Sequence, residues 1–198
     1  FFGGTYFPPA PRYGMASWQQ ILASIAEAWH ERRDELMRSA TDILGELRRI
    51  SVVSTASESQ PGGLRSEVSD AAYRSLAASF DAKNGGWGGA PKFPQAMAME
   101  FLLRYWKRTG EVAALQMVRK TAEKMACGGV YDQLGGGFHR YAVDAVWLVP
   151  HFEKMLYDNA QLVRVYLHLY QAGRHSDDVA EREQAGSFRN IAIETLEY

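Results

Sequence analysis

The sequence predicts a mainly α-helical chain built from helical hairpins and preceded by a single β-strand. Three observations carry that expectation. Apolar residues recur at helical spacing along most of the chain. Two Gly-rich interruptions resemble each other. The first residues are aromatic and β-favouring, and they stop at prolines. The chain has 198 residues, a net charge of −1 and 46% hydrophobic content, which suits one domain or a little more with an ordinary core.

The opening stretch FFGGTYFPPAPRY, residues 1–13, reads as the last strand of a sheet whose other strands lie upstream, and the start at Phe1 reads as an internal piece of a longer protein. From Ser17 the pattern changes. Ser17 is a suitable cap, and Trp18, Ile21, Leu22, Ile25, Trp29, Leu36, Ile43, Leu44 and Leu47 repeat at three and four. One long amphipathic helix is expected over residues 17–50. SVVSTASESQPGGLR, residues 51–65, is rich in Ser, Gly and Pro and reads as a linker and domain boundary.

Helices are expected next near 66–82, 95–109, 111–127, 150–172 and 178–198, from their apolar stripes. Tyr73, Leu76 and Phe80 mark the first stripe, and Phe101, Leu102 and Tyr105 the second. Between them lie NGGWGGAPKFP from Asn84 and LGGGFHRY from Leu134, later followed by VPHFEK. Their Gly-Gly-aromatic units are 51 residues apart, a period that fits one helical hairpin per repeat.

Near-zero net charge gives no electrostatic footprint for nucleic acid or an anionic membrane, and neither partner is expected. No apolar run is long enough to span a bilayer and no signal peptide is visible. The single cysteine, Cys127, excludes a disulfide within the chain and reads as a buried structural thiol. A cytoplasmic protein is expected on that basis. There is no CxxC, HExxH or Walker loop and no convincing metal-ligand cluster, so no metal or cofactor is expected.

The segment GGGFHRYAVDAVWLVPHFEKMLYDNA, residues 135–160, mixes imidazoles, charges and aromatics where a loop is expected to become a helix. With Pro150 near the first helical position, His151, Lys154 and Asp158 fall within about 60° of one another on one face. His139, Arg140, Tyr141, Asp144 and Trp147 precede them. A pocket wall is one reading, since His and carboxylates move protons near neutral pH and aromatic faces stack on sugar rings. The alternative is a hydrogen-bonded junction in which His151 pairs with Asp144 and Lys154 with Asp158. The stripe from Glu153 and Tyr157 to His168 reads as a solvated or inter-helix face.

FFGGTYFPP with its long helix, GGWGGAPKFP and GGGFHRYAVDAVWLVPHFEKMLYDNAQL together resemble the YyaL/spermatogenesis-associated family. That family joins a thioredoxin-like domain to a helical toroid of the six-hairpin glycosidase type. The resemblance implies the end of a thioredoxin-like domain over 1–50, a linker over 51–65 and the first hairpins of a partial (α/α)6 toroid over 66–198. It also implies that the family's cysteine motif lies upstream. The second loop is similar to N-acylglucosamine 2-epimerases as well.

That likeness implies a carbohydrate-active enzyme, an epimerase, isomerase or glycosidase, with its site in the toroid cavity. His139 and His151 would then exchange a proton, with Asp144 or Asp158 orienting them. Trp87 or Trp147 would stack on a sugar-like substrate, which Lys92, Arg140, Tyr141 and Lys154 help to hold. A thioredoxin-linked redox protein and a non-catalytic helical scaffold are the other readings. Open edges of an incomplete ring imply self-association.

Overall fold

The computed structural model describes residues 6–51 and 66–198. The chain is mainly helical and has two compact units, residues 1–61 and 62–198. Among the described residues, β pairing is confined to isolated bridges.

In the first unit, residues 1–5 of the expected strand lie outside the described residues. Residues 6–16 form bends and a turn closed by the Arg12–Met15 pair. Helix α1 (Trp18–Glu31) starts at the Ser17 cap, where Ser17 Oγ accepts from Gln20 N–H and Gln20 Oε1 accepts from Ser17 N–H. Helix α2 spans Arg33–Ser51. The single long helix expected here is therefore two, broken at Arg32 with φ −133° and ψ 33°. His30 lies in the last turn of α1, while Asp34 and Glu35 lie in the first turn of α2, each on the favourable end of a helix dipole. A period-based reading follows the apolar stripe through this point and misses the local charge pattern. The linker over 52–65 lies outside the described residues.

The second unit holds α3 (Ser66–Ser79), α4 (Ala96–Thr109), α5 (Val112–Ala126), α6 (Leu156–Gly173) and α7 (Val179–Glu197). Short connections pair α4 with α5 and α6 with α7, and α4 also packs on α6. This arrangement of hairpins is consistent with part of a helical toroid. Gly110, at φ 78°, closes α4 with a left-handed residue that disfavours a side chain. Met99, Leu102, Val118, Met125, Leu162, Tyr166 and Leu169 fill the core, and the Tyr166 hydroxyl donates to Ala122 O at 2.7 Å. Two long loops, 80–95 and 127–155, cover one end of these helices.

The start of α6 corrects the sequence reading. The helix begins at Leu156, not Pro150. Residues 149–153 instead pair with 140–143. Val143 N–H donates to Val149 O, His151 N–H to Tyr141 O and Arg140 N–H to Glu153 O, at 2.9, 2.9 and 2.7 Å. Those bonds satisfy the backbone outside a helix, so the helical-face grouping of His151, Lys154 and Asp158 does not form. Cys127 is a second correction. It caps the C-terminus of α5 and is exposed rather than buried, because the helix ends one residue before it can turn inward.

Candidate functional site: two lysine-locked turns and a histidine-bearing loop

The two Gly-rich interruptions fold as the same turn. In the first, Asp81 Oδ1 accepts from Lys83 and Asn84 N–H, and Gly85 N–H donates to Asp81 O. In the second, Asp132 Oδ1 accepts from Leu134 and Gly135 N–H, and Gly136 N–H donates to Asp132 O. Gly85 and Gly86 have φ of 71° and 78°, and Gly136 and Gly137 have 71° and 77°. Each turn is closed by an aromatic bridge, Phe80 with Trp87 and Tyr131 with Phe138. The backbone also needs room there. A Cβ on Gly85 would lie 2.8 Å from Thr121 Cα in α5, and one on Gly136 would lie 2.4 Å from Glu194 O in α7.

A lysine locks each turn. Lys92 Nζ donates to Asp81 Oδ2 at 2.5 Å and Ala145 O at 3.0 Å, beneath the Trp147 ring. Lys154 Nζ donates to Asp132 Oδ2 at 2.8 Å and Gly136 O at 2.6 Å, beneath the Tyr198 ring. Burial pushes the Asp81 carboxyl up, but Lys92 and the Asn84 and Lys83 amides hold it well below the usual carboxylate range. The Lys154 hydrogen bond, with the Gly135 and Leu134 amides, does the same for Asp132. These aspartates are the signal missed in the sequence: each stands four residues before the first positive-φ glycine of its turn.

Several expected site residues are thus committed to the fold. Trp87 is buried with its indole N–H on Leu76 O. Lys92 is fully buried in its ion pair. Trp147 is buried at φ 69°, with its indole N–H on Asn84 O at 3.0 Å. Asp144 accepts from the Val146, Leu148 and Val149 amides, and these amides hold its carboxyl low against the opposing effect of burial. It therefore shapes the loop that inserts Trp147, and it does not pair with His151. Lys154 pairs with Asp132 rather than Asp158, because the extended 150–155 segment carries it back to the turn.

The remaining candidates lie on the same loop and in the first turn of α6. Tyr141 stacks on His151 with centroids 4.6 Å apart and also meets Phe93. Half-exposed His151 places Nε2 3.6 Å from Glu153 Oε2, which accepts from Arg140 Nη1 at 3.0 Å. His139 packs edge-on against Phe152, and its Nδ1 is buried without a hydrogen-bond partner among the described residues. Burial, and then the Lys154 charge, lowers the His139 pKa, while Asp132 partly opposes them. In the first turn of α6, burial raises the Asp158 carboxyl pKa and Arg140 partly offsets it. One imidazole is thus biased toward its neutral form and one carboxyl toward its protonated form.

Among the described residues no group of His, Cys, Asp and Glu could hold a metal ion. No helix of the described residues is long and apolar enough to cross a membrane.

Comparison with known proteins accounts for both units. The family model Thioredox_DsbH, described as a protein of unknown function, DUF255, matches residues 1–48. The chain is 36% identical over 180 residues to uncharacterized protein B0495.5 of Caenorhabditis elegans, 89% of this chain and 24% of that protein. It is 37% identical over 175 residues to spermatogenesis-associated protein 20 of Homo sapiens, 86% of this chain and 22% of that protein. The same protein of Rattus norvegicus is 35% identical over an equal length. Over most of its own length the chain is thus similar to spermatogenesis-associated protein 20 and to B0495.5. It spans under a quarter of the length of these relatives. The thioredoxin-like match covers a stretch without cysteine, so residues 1–48 supply no thiol chemistry of their own.

Proposed function

We propose that the 139–158 loop binds a small polyhydroxylated ligand and moves a proton on it, as a sugar epimerase or isomerase does. The observation that carries this reading is the buried, unpartnered Nδ1 of His139, in a ring biased toward the neutral form. A buried polar atom without a partner costs stability and points to a group that works on something else. His151 supplies a second imidazole on the Tyr141 plane, and Asp158 a carboxyl biased toward its acid form. In an epimerisation one base removes the proton next to a carbonyl and a conjugate acid returns it to the other face. The enolate formed between those steps needs positive charge, and Arg140, shared with Glu153, supplies a cation on the strip.

Incubating the 198-residue chain with reducing sugars in D2O and following the C2 proton by NMR tests this. Exchange that disappears in His139→Gln and His151→Gln supports it. No exchange on any sugar, with the folded spectrum intact, sinks it. The thioredoxin-like match over 1–48 favours a second reading, in which this unit positions partners for redox chemistry supplied elsewhere. Covalent capture of a thiol-bearing partner by Cys127 alone would not support that reading, since one cysteine cannot complete a disulfide exchange cycle.

A further inference from the structure

A second group of titratable side chains lies outside the loop, between α4 and α6. Glu100 is buried there, and both its oxygens are occupied. Arg104 Nε donates to Oε1 at 2.7 Å, and His168 Nδ1 lies 2.9 Å from Oε2. Arg164 Nε stands 4.0 Å away. Burial pushes the Glu100 carboxyl up, but the Arg104 and His168 hydrogen bonds bring it below its ordinary value, so it is ionised at neutral pH. A carboxylate only accepts, so His168 Nδ1 carries the proton. The Nε2 of that ring is the nitrogen left for a ligand. Glu100, Arg104 and His168 line a groove of about 320 Å³, whose walls include Trp106, Lys107 and Gln171.

Three features mark this groove. Arg104 and Lys107 bring two permanent cations to a wall that holds one carboxylate, Glu100, and Arg164 stands 4.0 Å from that carboxylate. The terminal nitrogens of Arg104, and Lys107 altogether, have no hydrogen-bond partner among the described residues. Trp106 is half-buried in the wall with part of its surface open. Surplus positive charge selects an anion, His168 Nε2 suits a hydroxyl, which can donate or accept, and the indole selects a ligand with an apolar face. The volume suits one ligand of monosaccharide size.

We propose that the α4–α6 groove binds a small hydroxylated carboxylate, the class to which sugar acids belong. Arg104 and Lys107 take the carboxylate, and His168, oriented by Glu100, hydrogen-bonds a hydroxyl. This site stands whether or not the 139–158 loop moves a proton.

The test is titration of the ¹⁵N-labelled chain with sodium glucuronate to about 20 mM, a range that detects millimolar binding. The Trp106 indole N–H, assigned by its loss in Trp106→Phe, and the His168 ring protons report occupancy. Saturable shifts of both with glucuronate, absent with glucose, are expected. Arg104→Gln with Lys107→Gln should weaken binding about tenfold or more, corresponding to one charge-assisted contact. Lys107→Gln alone leaves the Glu100 ion pairs intact and should weaken it less. Three results overturn the proposal: no saturable shift, equal shifts with glucose or with sodium acetate, or an affinity indifferent to both variants.

Discussion

The turn locked by Lys92 and the turn locked by Lys154 are two copies of one device, yet they differ in how far they are sealed. The Lys92 side chain is 0% exposed and its Asp81 partner 22%, whereas Lys154 is 10% exposed and Asp132 30%. The local geometry is almost the same, down to the glycine φ values. What differs is the cover. Trp147, itself buried and pinned by hydrogen bonds on both sides, closes the first turn. Tyr198 lies over the second with most of its own surface in solvent. Identical backbone chemistry therefore gives a buried structural ion pair in one place and a partly hydrated one in the other.

The largest effect that would sharpen this comparison is removal of the lysines. Lys92→Met leaves Asp81 largely buried without its cation and should cost about 3 to 5 kcal/mol. Lys154→Met should cost about half as much, since water can reach Asp132. Urea unfolding of the two variants side by side reads the difference, and equal losses would break the contrast between sealed and open turns.

Glycine replacement comes next. At Gly86 a Cβ would meet the buried Trp147 ring at 2.6 Å, and at Gly137 it would meet the exposed Tyr198 ring at 3.1 Å. Gly86→Ala should therefore cost about 3 kcal/mol and Gly137→Ala about 1 to 2, both including the positive-φ strain. Thermal midpoints check the order. Adding Tyr198→Ala should recover part of the loss at Gly137 only.

Smaller again are the pH effects. Asp81 and Asp132 have folded pKa values below their unfolded ones. Their contribution is complete above the unfolded pKa of about 4 and is lost as pH falls toward the folded values. Stability should drop steeply below pH 4, and both Lys→Met variants should flatten that slope. His139 is also lowered, so its neutral form favours folding above the unfolded value of about 6.5, and that gain declines as pH falls through the folded pKa. An NMR titration should place its midpoint below the ordinary imidazole value of about 6.5.

The smallest effect is expected at Asp158. Its raised pKa means that the ionised carboxylate is disfavoured in the fold. Asp158→Asn should leave stability unchanged or raise it by about 0.5 kcal/mol at neutral pH. A clear loss would mean that the carboxylate has a partner in the folded chain that burial alone does not reveal.

Periodicity located every helix of the second unit because each turns one apolar stripe toward the core, which α3 buries only in part. Phe101, Leu102 and Tyr105 lie on the core side of α4 as their spacing requires. Periodicity failed at two helix boundaries. The α1–α2 break falls at Arg32 with the apolar stripe running on through it, and the late start of α6 rests on backbone pairing with residues six to thirteen positions upstream. The mixed loop was legible as unusual, but its members could not be sorted. Asp144 and Trp147 hold the fold together while His139 and His151 do not, although all four look equally chemical in a row of letters. Glu100 and His168 are separated by 68 positions, and only the packing of α4 on α6 joins them.

By itself the sequence determined the helical class, the hairpin repeat and the two Gly-Gly turns, because apolar spacing and glycine's access to positive φ are local properties. Tertiary structure alone decided which lysine is sealed, where α6 begins and which polar groups keep an unused valence. Those outcomes depend on what a side chain meets across the fold, and a buried charge, an orphaned nitrogen or an aromatic lid exists only once distant segments have closed around it.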